Sequence, residues 1–288
     1  MTPTIQQVLK HYQLIAKTER MKTGRPGHET VCNAIRGAKN VCLSAGISLE
    51  EPITALTRRR IDTALATFMS RGLTRISAWS YVCQLRAVFA KWSLPYYQDA
   101  GWDIPQLNLP NFRARAPRYV RPSVDLLSRI KAWYLQLTGE KWFAATMMLE
   151  FAMRNGDVLR LKDENFVLKG KRHFLSYTPH KTELSSGRRV YWPIHETIWE
   201  RFESYGKLEG LKLTDEIFTI LNYELRTLGL RGNKAAYELR KICIDHVYQK
   251  FGAEMAVSIS GDDIKTITRY YADPAQPNIG EIRVFDLL

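Results

Sequence analysis

Four residues in the second half of the chain have the types and the order needed to hold and cut a phosphodiester without a metal ion: Arg154, Lys181, Arg240 and Tyr270. Such a cleavage passes through a pentacovalent phosphorane whose non-bridging oxygens gather negative charge, and guanidinium forks grip those oxygens two at a time. A nucleophile must attack in line, and an acid must protonate the departing sugar oxygen. Arg154 and Arg240 each stand where two helical patterns meet, beside apolar residues that would fix them. Lys181 falls in a polar turn between two strand patterns, where a flexible ammonium can reach a minor groove or a leaving oxygen. Tyr270 supplies the phenol.

These residues need elements to carry them. Ile5, Val8, Leu9, Tyr12 and Ile15 recur at helical spacing over residues 4–17, with Thr4 as a natural N-cap. Further helices are expected over about 29–45, from Thr57 to Gly72, and over 77–94, so the first hundred residues read as a small four-helix unit. Arg58, Arg59 and Arg60 open the third of these helices. Positive charge there opposes the helix dipole and suggests phosphate contact, although a solvated helix end reads equally well. Over 96–122 the periodicity lapses among prolines, and Arg113, Arg115, Arg118 and Arg121 punctuate the end of the stretch. An extended, arginine-studded strap suits a chain crossing a DNA backbone; a plain linker is the alternative.

Helical patterns resume over 124–137 and 142–153, with another amphipathic helix after Arg154. The period then switches, giving three short strands over 165–170, 172–177 and 189–194 with turns at Gly170 and over 185–187. Helices return over 196–205, 220–228, about 235–251, and around Tyr270. The expected organisation is mainly α: a helical N-terminal domain over 1–110, a basic linker over 111–122, and a mostly helical domain with a small antiparallel sheet over 123–288.

Composition narrows the partners. The 288 residues hold 42 Lys plus Arg against 29 Asp plus Glu, a formal net charge of +13. That excess favours a polyanion, nucleic acid first and an acidic membrane surface second. No apolar run approaches the roughly 20 residues that span a bilayer, and no signal-peptide pattern opens the chain, so a cytoplasmic location is expected, nucleoid-associated in a prokaryote. The four cysteines, Cys32, Cys42, Cys83 and Cys243, show no CxxC spacing and read as free thiols rather than a zinc site or disulfide frame.

Taken together these segments resemble the tyrosine recombinase (phage integrase) family over nearly the whole chain. Met153-Arg-Asn-Gly-Asp-Val-Leu-Arg-Leu161 resembles the family's first arginine box, with Arg154 at the catalytic arginine and Asp157 at the usual acidic position. Lys181 looks like the family's β-hairpin lysine, and Glu238-Leu-Arg-Lys241 resembles the second arginine box around Arg240. Ile264-Lys-Thr-Ile-Thr-Arg-Tyr270 is similar to the nucleophile box, and the first of the paired tyrosines falls at the attacking position.

The resemblance implies that Tyr270 forms a 3′-phosphotyrosine link, that Arg154 and Arg240 hold the phosphate, and that Lys181 protonates the 5′ leaving oxygen. It implies double-stranded DNA as partner, a homotetramer on two DNA sites, and neither metal nor small-molecule cofactor. Two positions depart from the family. Tyr237 stands where a histidine is usual, three residues before the second arginine, and keeps a hydroxyl donor. The usual Gly-His pair before the nucleophile is replaced within Ser260-Gly-Asp-Asp263, with Gly261 or Asp262 at the histidine. Those losses keep two alternatives open: a non-cleaving DNA-binding relative, and a type IB topoisomerase-like relaxing enzyme.

Overall fold

A computed structural model describes residues 1–109, 119–183, 187–232 and 234–271. The chain divides into two units, Met1–Ala116 and Pro117–Leu288, each with its own hydrophobic core.

The first unit holds four long helices, α1 (Ile5–Thr23), α2 (His28–Ser44), α3 (Arg58–Ser70) and α4 (Arg75–Val88), and a short α5 (Leu94–Asp99). Thr4 caps α1 in a reciprocal box with Gln7, and Gly24 ends it in the left-handed conformation. Thr57 and Thr74 cap α3 and α4 in the same way, each accepting a backbone N–H of the first turn. α2 and α4 pack so closely that a Cβ on Gly37 would lie 2.2 Å from the Cβ of Gln84, so only glycine fits there. The single helix expected over 77–94 is broken at Val88. Ser93 Oγ donates to the carbonyls of Val88 and Ala90 at 2.9 and 2.8 Å, and Pro95 cannot donate to Lys91, so the chain restarts as α5.

The second unit is built on α7 (Gly139–Leu149), which is buried at every residue from Trp142 to Leu149. α12 (Ala236–Phe251) packs against it and against α13 (Ala253–Ser260). α6 (Val124–Gln136), α10 (Glu196–Ser204) and α11 (Asp215–Thr227) complete the helical layer. A three-stranded antiparallel sheet, β1 (Phe166–Lys169), β2 (Arg172–Tyr177) and β3 (Val190–Pro193), pairs Phe166 with Leu175 and Tyr177 with Val190. Two very short helices, α8 (Asn155–Val158) and α9 (His180–Glu183), and a terminal α14 (Ile264–Tyr270) carry site residues.

Three expectations are corrected here. The helix read over 142–153 stops at Leu149, because Ala152 turns left-handed at φ 50° and the Met153 amide donates back to Met147. The helix read after Arg154 is one turn long. Lys181 lies on the helical turn α9 rather than in an open polar turn, and α13 was not anticipated at all. No described helix is long and apolar enough to cross a membrane. All four cysteines are free, with Cys42 and Cys243 buried.

Glu150, at the end of α7, is 2% exposed and neither carboxyl oxygen has a hydrogen-bond partner. Burial pushes its carboxyl up to about 8. Between the ordinary carboxylate range and pH 8 the folded chain therefore keeps a proton that the unfolded chain has lost. Stability should fall as pH rises through that window, by up to roughly 1.4 kcal/mol per pH unit, and level off above it. Glu150→Gln should flatten the dependence of the thermal midpoint between pH 5 and 8, with its largest gain near pH 8. Parallel pH profiles for the two proteins would contradict this.

Candidate active site

The left-handed turn at Ala152 delivers Arg154 to the start of α8, where it is the extended N-cap residue. An alanine in that conformation costs roughly 1 kcal/mol, a local strain held in place by the buried core around it. Arg240 comes from the opening turns of α12 and is wholly buried. These two arginines, from opposite ends of the unit's sequence, meet on one carboxylate. Arg154 Nη2 donates to Asp262 Oδ1 at 2.5 Å, and Arg240 Nη2 donates to Asp262 Oδ2 at 2.5 Å and to the Ser260 carbonyl at 3.1 Å. Asp262 is set there by Gly261, which ends α13 at φ +66°. A Cβ on Gly261 would lie 2.9 Å from Pro179 Cγ, so both the backbone angle and the space demand glycine.

Asp157 ties this pair to the segment that bears the lysine. Its Oδ1 accepts the His180 backbone N–H at 3.0 Å, and its Oδ2 lies 3.7 Å from Arg154 Nη1. The contact anchors α9 beside the arginines, and Lys181 stands exposed on that turn. Asp263 caps α14 by accepting the Thr266 amide, which fixes the helix leading to the tyrosines.

At the end of α14 the two tyrosines part. Tyr271 is buried, its hydroxyl 2.6 Å from that of Tyr237 and its ring 5.6 Å from the guanidinium carbon of Arg240. Burial raises its pKa, the neighbouring Tyr237 phenol adds to the rise, and Arg240 opposes it. Tyr270 is half-buried, and both tyrosines line a groove with Leu126, Gly229, Leu230, Tyr237 and Lys241. Tyr271 is the C-cap of α14, at φ −128° and ψ −22°, so the chain leaves helical geometry between the two side chains. Of the residues singled out in the sequence, Arg154, Arg240 and Tyr237 are thus gathered with Tyr271, and Tyr270 flanks them.

The site is electrostatically unusual. Burial works against the Arg240 charge, yet Asp262 and the surrounding tyrosines hold its pKa above the ordinary range. Arg240 Nε and Nη1 and Arg154 Nη1 are buried without hydrogen-bond partners. So is the hydroxyl of Tyr177, whose pKa is raised by burial and lowered by the charges of Arg240 and Arg154. Tyr177 escaped the sequence reading, although alternation from Leu175 along β2 puts both on the core face. Converging donors without acceptors suit an anion richer in oxygens than a carboxylate.

The other basic candidates fall elsewhere. Arg58 bonds Asp62 at 2.9 Å and the Leu109 carbonyl at 3.1 Å, and Arg60 bonds Glu51 at 2.6 Å, whereas Arg59 is exposed. Arg121 forks onto Asp245 of α12 at 2.7 and 3.2 Å. Arg113, Arg115 and Arg118 lie outside the described residues.

No protein-family model matches the chain, and no curated protein matches it by sequence. Solved structures do. A lambda integrase tetramer bound to a Holliday junction is similar at a TM-score of 0.71 and 15% identity, over 98% of this chain and 81% of that one. The XerH site-specific recombinase bound to a palindromic difH substrate gives 0.62 and 11%, over 92% of each chain. The Tn1549 transposon integrase in complex with transposon right end DNA gives 0.61 and 13%, over 95% of each. Likeness at such low identity, sustained over almost the whole length, establishes that this chain has the fold of the tyrosine recombinases.

Proposed function

We propose that the protein is a site-specific DNA recombinase that cleaves and rejoins strands through a 3′-phosphotyrosine intermediate. The observation that carries this reading is the convergence of Arg154 and Arg240 on one anionic group, with a phenol against the second guanidinium. In the proposed reaction the two arginines grip the scissile phosphate and stabilise the charge that grows on its oxygens. A tyrosine oxygen bonds to phosphorus, its phenolic proton passing to solvent, as the bond to the 5′ oxygen breaks, and Lys181 gives that leaving oxygen its proton. Attack by a 5′ hydroxyl of the partner strand reverses the step, so the bond energy is conserved.

The resemblance assigns the attack to Tyr270. The contacts favour Tyr271, which touches Tyr237 and faces Arg240, and we assign the attack to it. Tyr270 then lines the same groove beside it.

Double-stranded DNA as partner is supported by the net charge of +13 and by the DNA-bound forms of the similar structures. Strand exchange between two sites would require a homotetramer. The proposed organisation keeps an N-terminal DNA-binding domain over 1–110, a basic linker over 111–122 with Arg113, Arg115 and Arg118 on the backbone, and a catalytic domain over 123–288. A non-cleaving DNA-binding relative is the second reading. It is favoured by one observation: a carboxylate occupies the place between the two arginines.

A pool of nicked duplexes with randomised arms separates these readings, because cleavage beside a nick traps the covalent adduct. Wild-type protein should yield a denaturation-resistant adduct that maps to the peptide bearing Tyr271. Tyr271→Phe should abolish it, and Tyr270→Phe should retain it. Adduct at Tyr270 would return the attack to the first tyrosine, and no adduct from any variant would leave the non-cleaving relative.

Arg154→Ala should cut adduct formation by roughly 10²–10³-fold and leave duplex affinity within a few-fold, since its fork acts on charge that develops during the reaction. Arg240→Lys keeps the buried charge and should still lose most activity, because an ammonium cannot replace a fork. Wild-type rates from either variant would remove that arginine from the site. Affinity for a random duplex should also fall linearly on log–log axes with added salt, with a slope of several units. A flat response would detach the basic charge from DNA.

A further inference from the structure

Asp262 holds the two arginines in a geometry that belongs to the substrate. Each carboxylate oxygen takes one Nη2, from Arg154 on one side and Arg240 on the other, both at 2.5 Å. A phosphodiester presents the same elements, two non-bridging oxygens sharing one negative charge, to two planar forks. Asp262 is nevertheless a poor fit for the donors around it. Arg240 Nε and Nη1 and the Tyr177 hydroxyl stay buried without hydrogen-bond partners while the carboxylate is in place, and Arg154 Nη1 has only the 3.7 Å approach of Asp157 Oδ2. Two carboxylate oxygens cannot meet that many donors, whereas the four oxygens of a phosphate can meet more of them.

The setting lets the group leave. Asp262 lies in the short non-helical link between α13 and α14, after the left-handed Gly261 and before the cap Asp263. Its backbone N–H is held by Ser260 Oγ at 3.1 Å, so the link stays anchored while the side chain rotates.

We infer that Asp262 is a built-in stand-in for the scissile phosphate, holding both guanidiniums in gripping geometry before DNA binds and giving way when a phosphodiester enters. This rests on the reading of the site as a phosphate-binding one. Asp262 is then a positioning residue that also competes: it prepares the forks and subtracts one charge from the attraction they exert. Its removal should tighten anion binding, the opposite of what general damage to the site would do.

The test is Asp262→Asn, with inorganic phosphate as the probe and chloride at equal ionic strength as the control. The substitution should raise phosphate affinity by about tenfold or more, as expected for loss of a competing ion pair in a poorly solvated site. It should destabilise the protein in chloride, and phosphate should raise its unfolding midpoint by more than that of wild type. Folding in phosphate but not in chloride would support the inference equally. Unchanged or weaker phosphate binding by a folded Asp262→Asn protein would overturn it.

Wild-type protein supplies a measurement that needs no variant to fold. With aspartate carboxyls labelled with carbon-13, one buried resonance should shift as phosphate is added, and a spectrum without such a shift would overturn the proposal. Tighter phosphate binding with no DNA adduct from any variant would keep the stand-in and remove the cleavage reading. A wild-type adduct with phosphate affinity unaltered in Asp262→Asn would remove the stand-in alone.

Discussion

A guanidinium with no access to water governs the second unit. Arg240 is fully enclosed by α12, α13 and the residues around them, and burying a cation without a counter-charge costs several kcal/mol. The Asp262 carboxylate and the Ser260 carbonyl supply the compensation; Ser260 is the last residue of α13 and Asp262 lies in the link to α14. That one requirement therefore fixes where α13 must stop and where α14 can begin. Truncating Asp262 would leave the Arg240 charge unpaired inside the core, which makes the pair a constraint on the fold as well as a part of the site.

Backbone devices of small size bring the remaining groups to it. Ala152 in the left-handed region reverses the chain after α7 so that Arg154 faces Asp262 and not the next helical turn. Gly261 does the same after α13, pressed against Pro179. Asp157 joins the two ends of the strand region by accepting the His180 amide, which carries the position of Lys181 back to the arginine pair. Each device is local and the cost of each is about the size of one hydrogen bond, yet together they assemble groups from five separate elements.

Much of this was legible in the chain. The caps Thr4 and Thr57 and the alternation of the three strands are written in residue types with direct backbone consequences, so those elements stand within a few residues of their expected ends. Arg154 and Arg240 were legible as a pair because each follows an apolar residue, Met153 and Leu239, where helical patterns meet. What the sequence hid depends on tertiary contact. The stop of α7 at Leu149 follows from a left-handed alanine that no propensity anticipates. α13 follows a glycine and lacks a side-chain cap, so it carries no start signal. Tyr177 looked like one more strand aromatic until its hydroxyl appeared beside two guanidiniums without a partner. The choice between Tyr270 and Tyr271 turns on where α14 ends its rotation, which motif spacing cannot resolve.

The two departures from the family resemblance can now be weighed together rather than singly. A histidine at either place would add a donor and, when protonated, a charge to a site that already holds two guanidiniums. Asp262 instead brings a negative charge into contact with both. Tyr237 brings a neutral hydroxyl that engages Tyr271 at 2.6 Å, a distance typical of a strong O–H···O bond. Asp262 gives both guanidiniums a counter-charge; Tyr237 holds a phenol next to Arg240 without adding charge. On the proposed function each compensates for a need that the other leaves: a site whose arginines are quenched by Asp262 would attract phosphate less, and a phenol held in place by Tyr237 would need less reorganisation when phosphate arrives. The substitutions thus read as a matched pair in which electrostatic pull is exchanged for preorganisation.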